Sequence, residues 1–183
     1  MPKIVATKED WIKLGFQMFS DEGLSGIVIE AMAKKLKINK SSFYWHFSTK
    51  AAFIEEIINH WERVNTSKII ELVNNEPTPE ARFEKLLELS FLKDSHIDFF
   101  FYLKKYARSS KALEALIESL DNERIAFTAG LLQQLGFSAA EASLKASIFY
   151  KYLIGYHEVI RYKEQSPTYL ITVKNEIKEF INI

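Results

Sequence analysis

The side chains best equipped for chemistry lie in one short run: Lys40, Ser41, Ser42, Tyr44, Trp45, His46 and, four residues on, Lys50. Amines, hydroxyls, an imidazole and aromatic rings are the groups that reach base edges and phosphates. Between Ala31 and Ile54 there is no acid, but there are five lysines: Lys34, Lys35, Lys37, Lys40 and Lys50. Over the whole chain 24 Lys and Arg balance 24 Asp and Glu, so this excess is local. Residues 1–50 carry a net +3 and the remainder a net −3. A basic window on a neutral protein implies one local anionic partner. A solvated lysine face is the plainer alternative, and position on the fold decides between them. Lys40 and Lys50 each fall at the expected first position of a helix. A cation there opposes the helix dipole at ~0.3–1 kcal/mol, whereas helix N-termini favour anions. Two successive lysines so placed fit phosphates at both starts.

Other chemistries find no support in the sequence. The four histidines, His46, His60, His96 and His157, are scattered. Glu55, Glu56 and His60 bring a carboxylate and an imidazole within one turn, which is weak evidence for metal. The chain has no cysteine, so thiolate metal sites, disulfides and cysteine nucleophiles are excluded. There is no glycine-rich phosphate loop. The expectation is a protein that is not an enzyme and has no metal and no cofactor. With 48% hydrophobic and 14% aromatic residues the chain is too apolar for disorder. No apolar run approaches the ~18 residues of a membrane span, and Met1 to Asp10 lacks the apolar core of a signal peptide. A cytoplasmic protein with no membrane partner is expected.

The elements that hold the basic run in place read as helices. Sustained alternation and hairpin turns are missing, while helical spacing and caps recur. A first helix is expected from about Thr7 to Asp21, ending at Gly23, and a second from about Val28 to Leu36. In the second, Ile29, Met32, Ala33 and Leu36 form one apolar stripe. A tight turn, Lys37-Ile38-Asn39, leads to a short third helix, about Lys40 to Phe47, capped by Asn39. Phe43 and Phe47 face inward, which leaves the polar and aromatic run outside. Thr49 caps a long fourth helix to about Asn74, and Thr78-Pro79 opens a fifth. A sixth spans His96 to Arg108 with Ser95 and Asp98 as a capping pair. A seventh runs from Lys111 to Leu135, stopping at Gly136. Ser138 and Glu141 form a capping box for the eighth, and Ser166-Pro167 opens the ninth. The fold class is therefore all-α with about nine helices. An N-terminal three-helix domain carrying a helix-turn-helix occupies residues 1–49, and a C-terminal helical domain occupies 50–183.

Residues 11–54 resemble the DNA-binding domain of the TetR family of bacterial transcriptional regulators. The resemblance rests on Phe19, Gly23, Ala33 and the run Asn-Lys-Ser-Ser-Phe-Tyr-Trp-His-Phe-Ser-Thr-Lys from Asn39 to Lys50. It implies that Lys40, Ser41 and Ser42 approach bases and that Tyr44, His46 and Lys50 hold phosphates. Two positions depart from the family pattern. Val28 stands where a capping serine or threonine is usual, and Glu30 where a basic residue is common. A carboxylate at Glu30 either repels phosphate or accepts from a cytosine amine.

The resemblance also implies an effector pocket and a dimer in the C-terminal domain. The aromatic group Trp61, Phe91, Phe99, Phe100, Tyr102, Tyr106 and Phe127, with His96, either lines a cavity for a small apolar or aromatic effector or forms a packed core. The eighth helix is apolar on more than one face and the ninth adds a further stripe. Phe149, Tyr152, Leu153, Tyr156, Leu170, Val173, Ile177 and Phe180 are expected at a homodimer interface, with an ordinary monomer core as the alternative. The function so implied is a DNA-binding transcriptional regulator, a repressor on a near-palindromic double-stranded operator that the effector releases. Two rivals share the fold: a DNA-organising protein without an effector, and a helical carrier or enzyme.

Overall fold

The computed structural model describes residues 6–92, 98–160 and 167–182, with no side-chain account of Ile160. Among these residues there are helices and no strand. Near the N-terminus lie α1 (Lys8–Glu22), a 3₁₀ turn (Gly23–Gly26), α2 (Ile29–Lys35) and α3 (Ser41–His46). Next, α4 (Lys50–Glu62) passes through a π turn (Arg63–Ser67) into α5 (Lys68–Asn74), so residues 50–74 form the single helical run expected from the sequence. The remaining helices are α6 (Pro79–Phe91), α7 (Phe99–Ala107), α8 (Lys111–Gln134), α9 (Ala139–Ile160) and α10 (Tyr169–Ile181).

Local capping chemistry sets most starts. Thr7 Oγ1 accepts the Asp10 N–H at 3.1 Å while Asp10 accepts the Thr7 N–H at 2.8 Å, a reciprocal box that closes two orphan donors. These hydrogen bonds from Thr7 hold the Asp10 carboxyl below its usual range. Thr49 and Thr78 accept the N–H of Ala52 and Ala81 in the same way. Ser138 and Glu141 repeat the box ahead of α9. Helix α2 has no side-chain cap, as Val28 requires, and Ser25 offers none because its hydroxyl donates to the Glu22 carbonyl. Ser95, His96 and Ser166 lie outside the described residues, and Asp98 precedes α7 without a capping bond.

The chain forms two compact units, each discontinuous in sequence. The first combines Met1–Asn65 with His96–Glu114, and the second Thr66–Ser95 with Ala115–Ile183. Helices α4 and α7 pack with the N-terminal helices in the first unit. In the first unit α1 is the hub. Trp11 and Phe19 are fully buried, and Phe99 of α7 lies 5.0 Å from Phe16 and 4.8 Å from Phe19, ring centre to ring centre. Gly15 brings α1 close to α4: a Cβ there would sit 2.5 Å from Phe53 Cζ and 2.6 Å from Ile57 Cδ1. Both partners are fully buried.

The second unit has its own core around Phe91. The Phe91 ring meets Phe149, Tyr152, Tyr156 and His157 at 5.2 to 6.1 Å. Phe83, Leu87, Leu132, Ala142, Ala146, Val173, Ile177 and Ile181 complete the interior. Several of its partly buried polar groups are paired. Arg124 donates from two nitrogens to Thr66 Oγ1 at 3.0 and 2.7 Å, and Tyr150 donates to Asp121 at 2.5 Å. Burial foremost, with the hydrogen bond to Asp121 adding to it, pushes the Tyr150 phenol above its ordinary value.

The turn between α2 and α3 is a Schellman motif. The Ile38 N–H donates to the Ala33 carbonyl at 3.0 Å and the Lys37 N–H to the Lys34 carbonyl at 3.1 Å. This places Lys37 in the left-handed region, at φ 58°. The same bond pattern ends α8, but there a glycine, Gly136, holds the positive φ of 98°.

Two stability predictions follow. Lys37→Gly should raise stability by about 0.5–1 kcal/mol, since release of left-handed strain exceeds the added chain entropy of glycine. A chemical-denaturation midpoint below that of the parent would refute this. Gly15→Ala should lower stability by about 1–3 kcal/mol through overpacking between α1 and α4, read as a fall in melting temperature.

Candidate nucleic-acid interface

Six residues are too few for an isolated stable helix, so α3 takes its orientation from what it packs against. Phe43 is 1% exposed. Its ring meets Trp11 at 5.3 Å and Phe53 at 5.2 Å, both edge-on, and Phe47 at 5.1 Å. Asn39 Oδ1 accepts the Ser41 N–H at 3.0 Å, the cap expected for this helix. The regular helix begins at Ser41, one residue later than expected, although Lys40 already has helical dihedrals of −57° and −23°. With Phe43 and Phe47 locked inward, helical rotation turns Tyr44 and Trp45 out. They are 62% and 87% exposed.

The other predicted DNA-contacting residues are distributed as follows. Ser41 is exposed and Ser42 half-buried beside it. Lys50 is exposed at the first residue of α4, directly after the Thr49 cap. Lys34, Lys35 and Lys37 are also exposed. Lys40 is exposed but engaged: its Nζ lies 3.2 Å from Glu30 Oε1 across the helix-turn-helix. His46 is half-buried, and its Nε2–H donates to the Ala6 carbonyl at 3.1 Å. That nitrogen tethers the segment before α1, so a phosphate role for it requires this bond to open. Neither partner, Glu30 nor Ala6, was visible as such in the sequence, because the contacts span 10 and 40 residues.

The remaining expected site residues fall in different units. Trp61, Phe99, Phe100, Tyr102 and Tyr106 belong to the first unit, Phe91 and Phe127 to the second, and His96 lies outside the described residues. Trp61 stacks on Phe99 and Phe100 at 5.4 Å each, with Lys104 Nζ 4.3 Å above the Phe100 ring. Tyr102 covers Gly23 and donates to the Asp21 carbonyl at 3.5 Å. Glu56 and His60 do not converge: Glu56 pairs with Lys8 at 2.5 Å, and His60 packs on Phe16 at 5.4 Å. Among the described residues no three His, Asp or Glu side chains come together as metal ligands would, and no helix is long and apolar enough to cross a membrane.

The residues expected at a dimer interface differ in exposure. Phe149, Val173 and Ile177 are 3%, 2% and 3% exposed within their own chain and have almost no surface to offer a partner. Tyr152, Leu153, Tyr156 and Leu170 are half-buried at the rim of that core. Phe180 is 58% exposed. Leu144, Val159 and Ile171, outside the expected set, are 63%, 62% and 63% exposed. The outward apolar residues of α9 and α10 thus include Leu144, Val159 and Ile171 beside the expected Phe180.

Comparison with known proteins agrees with this architecture. Residues 12–57 match the family described as bacterial regulatory proteins, tetR family. An HTH-type transcriptional regulator of Bacillus subtilis (strain 168), YuxN, is 22% identical over 80 residues, which cover 44% of this chain and 28% of that protein. The match therefore spans under a third of that relative's length. A TetR transcription regulator from Haloarcula marismortui ATCC 43049 superposes with a TM-score of 0.78 at 13% identity, covering 96% of each chain. A transcriptional regulator from Saccharomonospora viridis in complex with choline gives 0.79 at 12% identity, covering 96% of this chain and 95% of that one. At such identities these structures speak for the fold. Residues 12–57 thus carry the signature of the tetR family of bacterial regulatory proteins, on an all-helical architecture shared with solved transcriptional regulators.

Proposed function

We propose that the protein is a DNA-binding transcriptional regulator, a repressor that acts as a homodimer on a near-palindromic operator. The observation that carries this reading is the outer face of α3. A tyrosine and a tryptophan stand in solvent on a helix whose opposite face is sealed by Phe43. Exposed aromatics of that size are a solubility cost unless they meet a partner. Ser41, Tyr44, Trp45 and Lys50 are exposed and Ser42 is half-buried, in a stretch rich in lysine. Helices of this kind enter the major groove, and two of them ~34–36 Å apart read half-sites one turn apart. In this reading His46 holds phosphate once its bond to Ala6 opens.

The second subunit covers the outward apolar residues of α9 and α10, namely Leu144, Val159, Ile171 and Phe180, with Tyr152, Leu153, Tyr156 and Leu170 at the edge. An isologous pairing through these helices brings two copies of α3 into one dimer. A small apolar or aromatic effector completes the proposal. Phe91 and Phe127 in one unit, or Trp61, Phe99, Phe100, Tyr102 and Tyr106 in the other, are two separate candidate surfaces for it. A coupling of ~1–3 kcal/mol between effector and DNA would change occupancy 5–150-fold.

Selection of bound sequences from random duplex DNA tests the central claim, and enrichment of a near-palindrome is expected. Tyr44→Ala and Lys50→Ala should weaken binding to all sequences without lowering the melting temperature. Lys50→Ala should also reduce the salt slope by about one; unchanged affinity in both variants would remove the phosphate roles. Ile171→Glu should convert the dimer to a monomer in sedimentation analysis, and an unaltered mass would place the interface elsewhere. A thermal-shift screen with small aromatic compounds should find a stabilising ligand that lowers DNA affinity. Stabilisation by none would favour a DNA-organising protein without an effector.

A further inference from the structure

The pairing of Glu30 with Lys40 allows a deeper statement about the same interface, and it rests on the DNA-binding reading. Glu30 is the sole acid between residues 23 and 54. It sits in the first turn of α2, and its Oε1 lies 3.2 Å from Lys40 Nζ, at the start of α3. Both side chains are largely solvated, at 67% and 59% exposure. An exposed ion pair of this kind contributes little to folding, so its consequence lies in what it does to Lys40. A hydrogen bond from its own backbone N–H, and then the Lys40 ammonium, hold the Glu30 carboxyl below its ordinary range, so it is charged at neutral pH. Lys40 therefore meets DNA with its charge already compensated.

We propose that Glu30 is a specificity-determining residue that withholds Lys40 from sequence-independent phosphate binding. Non-specific affinity comes from lysines that displace condensed counterions, one for each phosphate neutralised. A lysine held by a carboxylate displaces fewer. Lys40 then contributes only where a fixed acceptor competes with Glu30 for its ammonium. Guanine offers such an acceptor pair, O6 and N7, in the major groove. Phosphates are alike at every site, whereas base acceptors are not. The ion pair thus subtracts from binding to random DNA and leaves binding to the operator largely intact, so discrimination rises at the expense of total affinity.

The test compares the full-length protein with Glu30→Gln, Lys40→Gln and the double variant on two duplexes: the sequence selected by the parent protein and a random duplex of equal length. Affinity is measured from 50 to 300 mM salt. Glu30→Gln should bind the random duplex about five- to tenfold more tightly near 0.1 M salt, with a log–log salt slope steeper by about one. Its gain on the selected duplex should be smaller, so the ratio of the two affinities falls. The gain on random DNA should vanish in the double variant, which assigns it to Lys40. A salt slope unchanged by Glu30→Gln, an equal gain on both duplexes, or a gain that survives Lys40→Gln would each overturn the proposal. Absence of salt-dependent DNA binding by the parent protein is a different result, and it would bring down the DNA-binding reading itself.

Discussion

Burial of the Phe43 ring against Trp11 and Phe53 is the contact on which the rest of the candidate interface depends. The helix that carries it has six residues, and nothing in its own backbone would hold it. Edge-on aromatic pairs add roughly 0.5–1.5 kcal/mol each beyond the area they bury, and Phe43 makes such pairs with both Trp11 and Phe53. Once that ring is seated, rotation of about 100° per residue leaves Tyr44 and Trp45 outside. The exposed face is a consequence of the buried one.

The same unit accommodates strain near the site. The turn before α3 places a lysine in a backbone region suited to glycine, and two Schellman hydrogen bonds hold it there. A few ångströms of turn geometry decide the angle between α2 and α3, so the strain is borne where orientation matters most. Close approach of α1 to α4 at Gly15 has the same effect on Phe53, whose ring is one wall of the Phe43 pocket. Packing in this region is tight because the wall and the wedge are both aromatic and both rigid.

The second unit shows how an apolar helix can mislead. Along α9 the apolar residues cover several faces, which is compatible with burial in many directions. In the structure one face, with Ala142, Ala146 and Phe149, closes a core shared with α6, α8 and α10, and another, with Leu144 and Val159, faces solvent. Hydrophobicity alone ranked Phe149 as highly as Leu144. Only the choice of neighbour separates them.

The sequence by itself determined the local events. Thr7 with Asp10, Thr49, Thr78 with Pro79, and Ser138 with Glu141 mark helix starts within a residue or so, because a cap bonds to an N–H only two or three positions away. It also determined the composition of the run from Lys40 to Lys50, and the inward pair Phe43 and Phe47, whose four-residue spacing keeps them close together on a helix. Tertiary structure decided the rest: that α7 inserts Phe99 among the N-terminal helices, that His46 holds Ala6, and that Lys40 meets Glu30. Helical periodicity fixes which side chains share a face, but it carries no information about which distant segment that face will meet. That is settled only when competing apolar surfaces and charges are brought together in three dimensions.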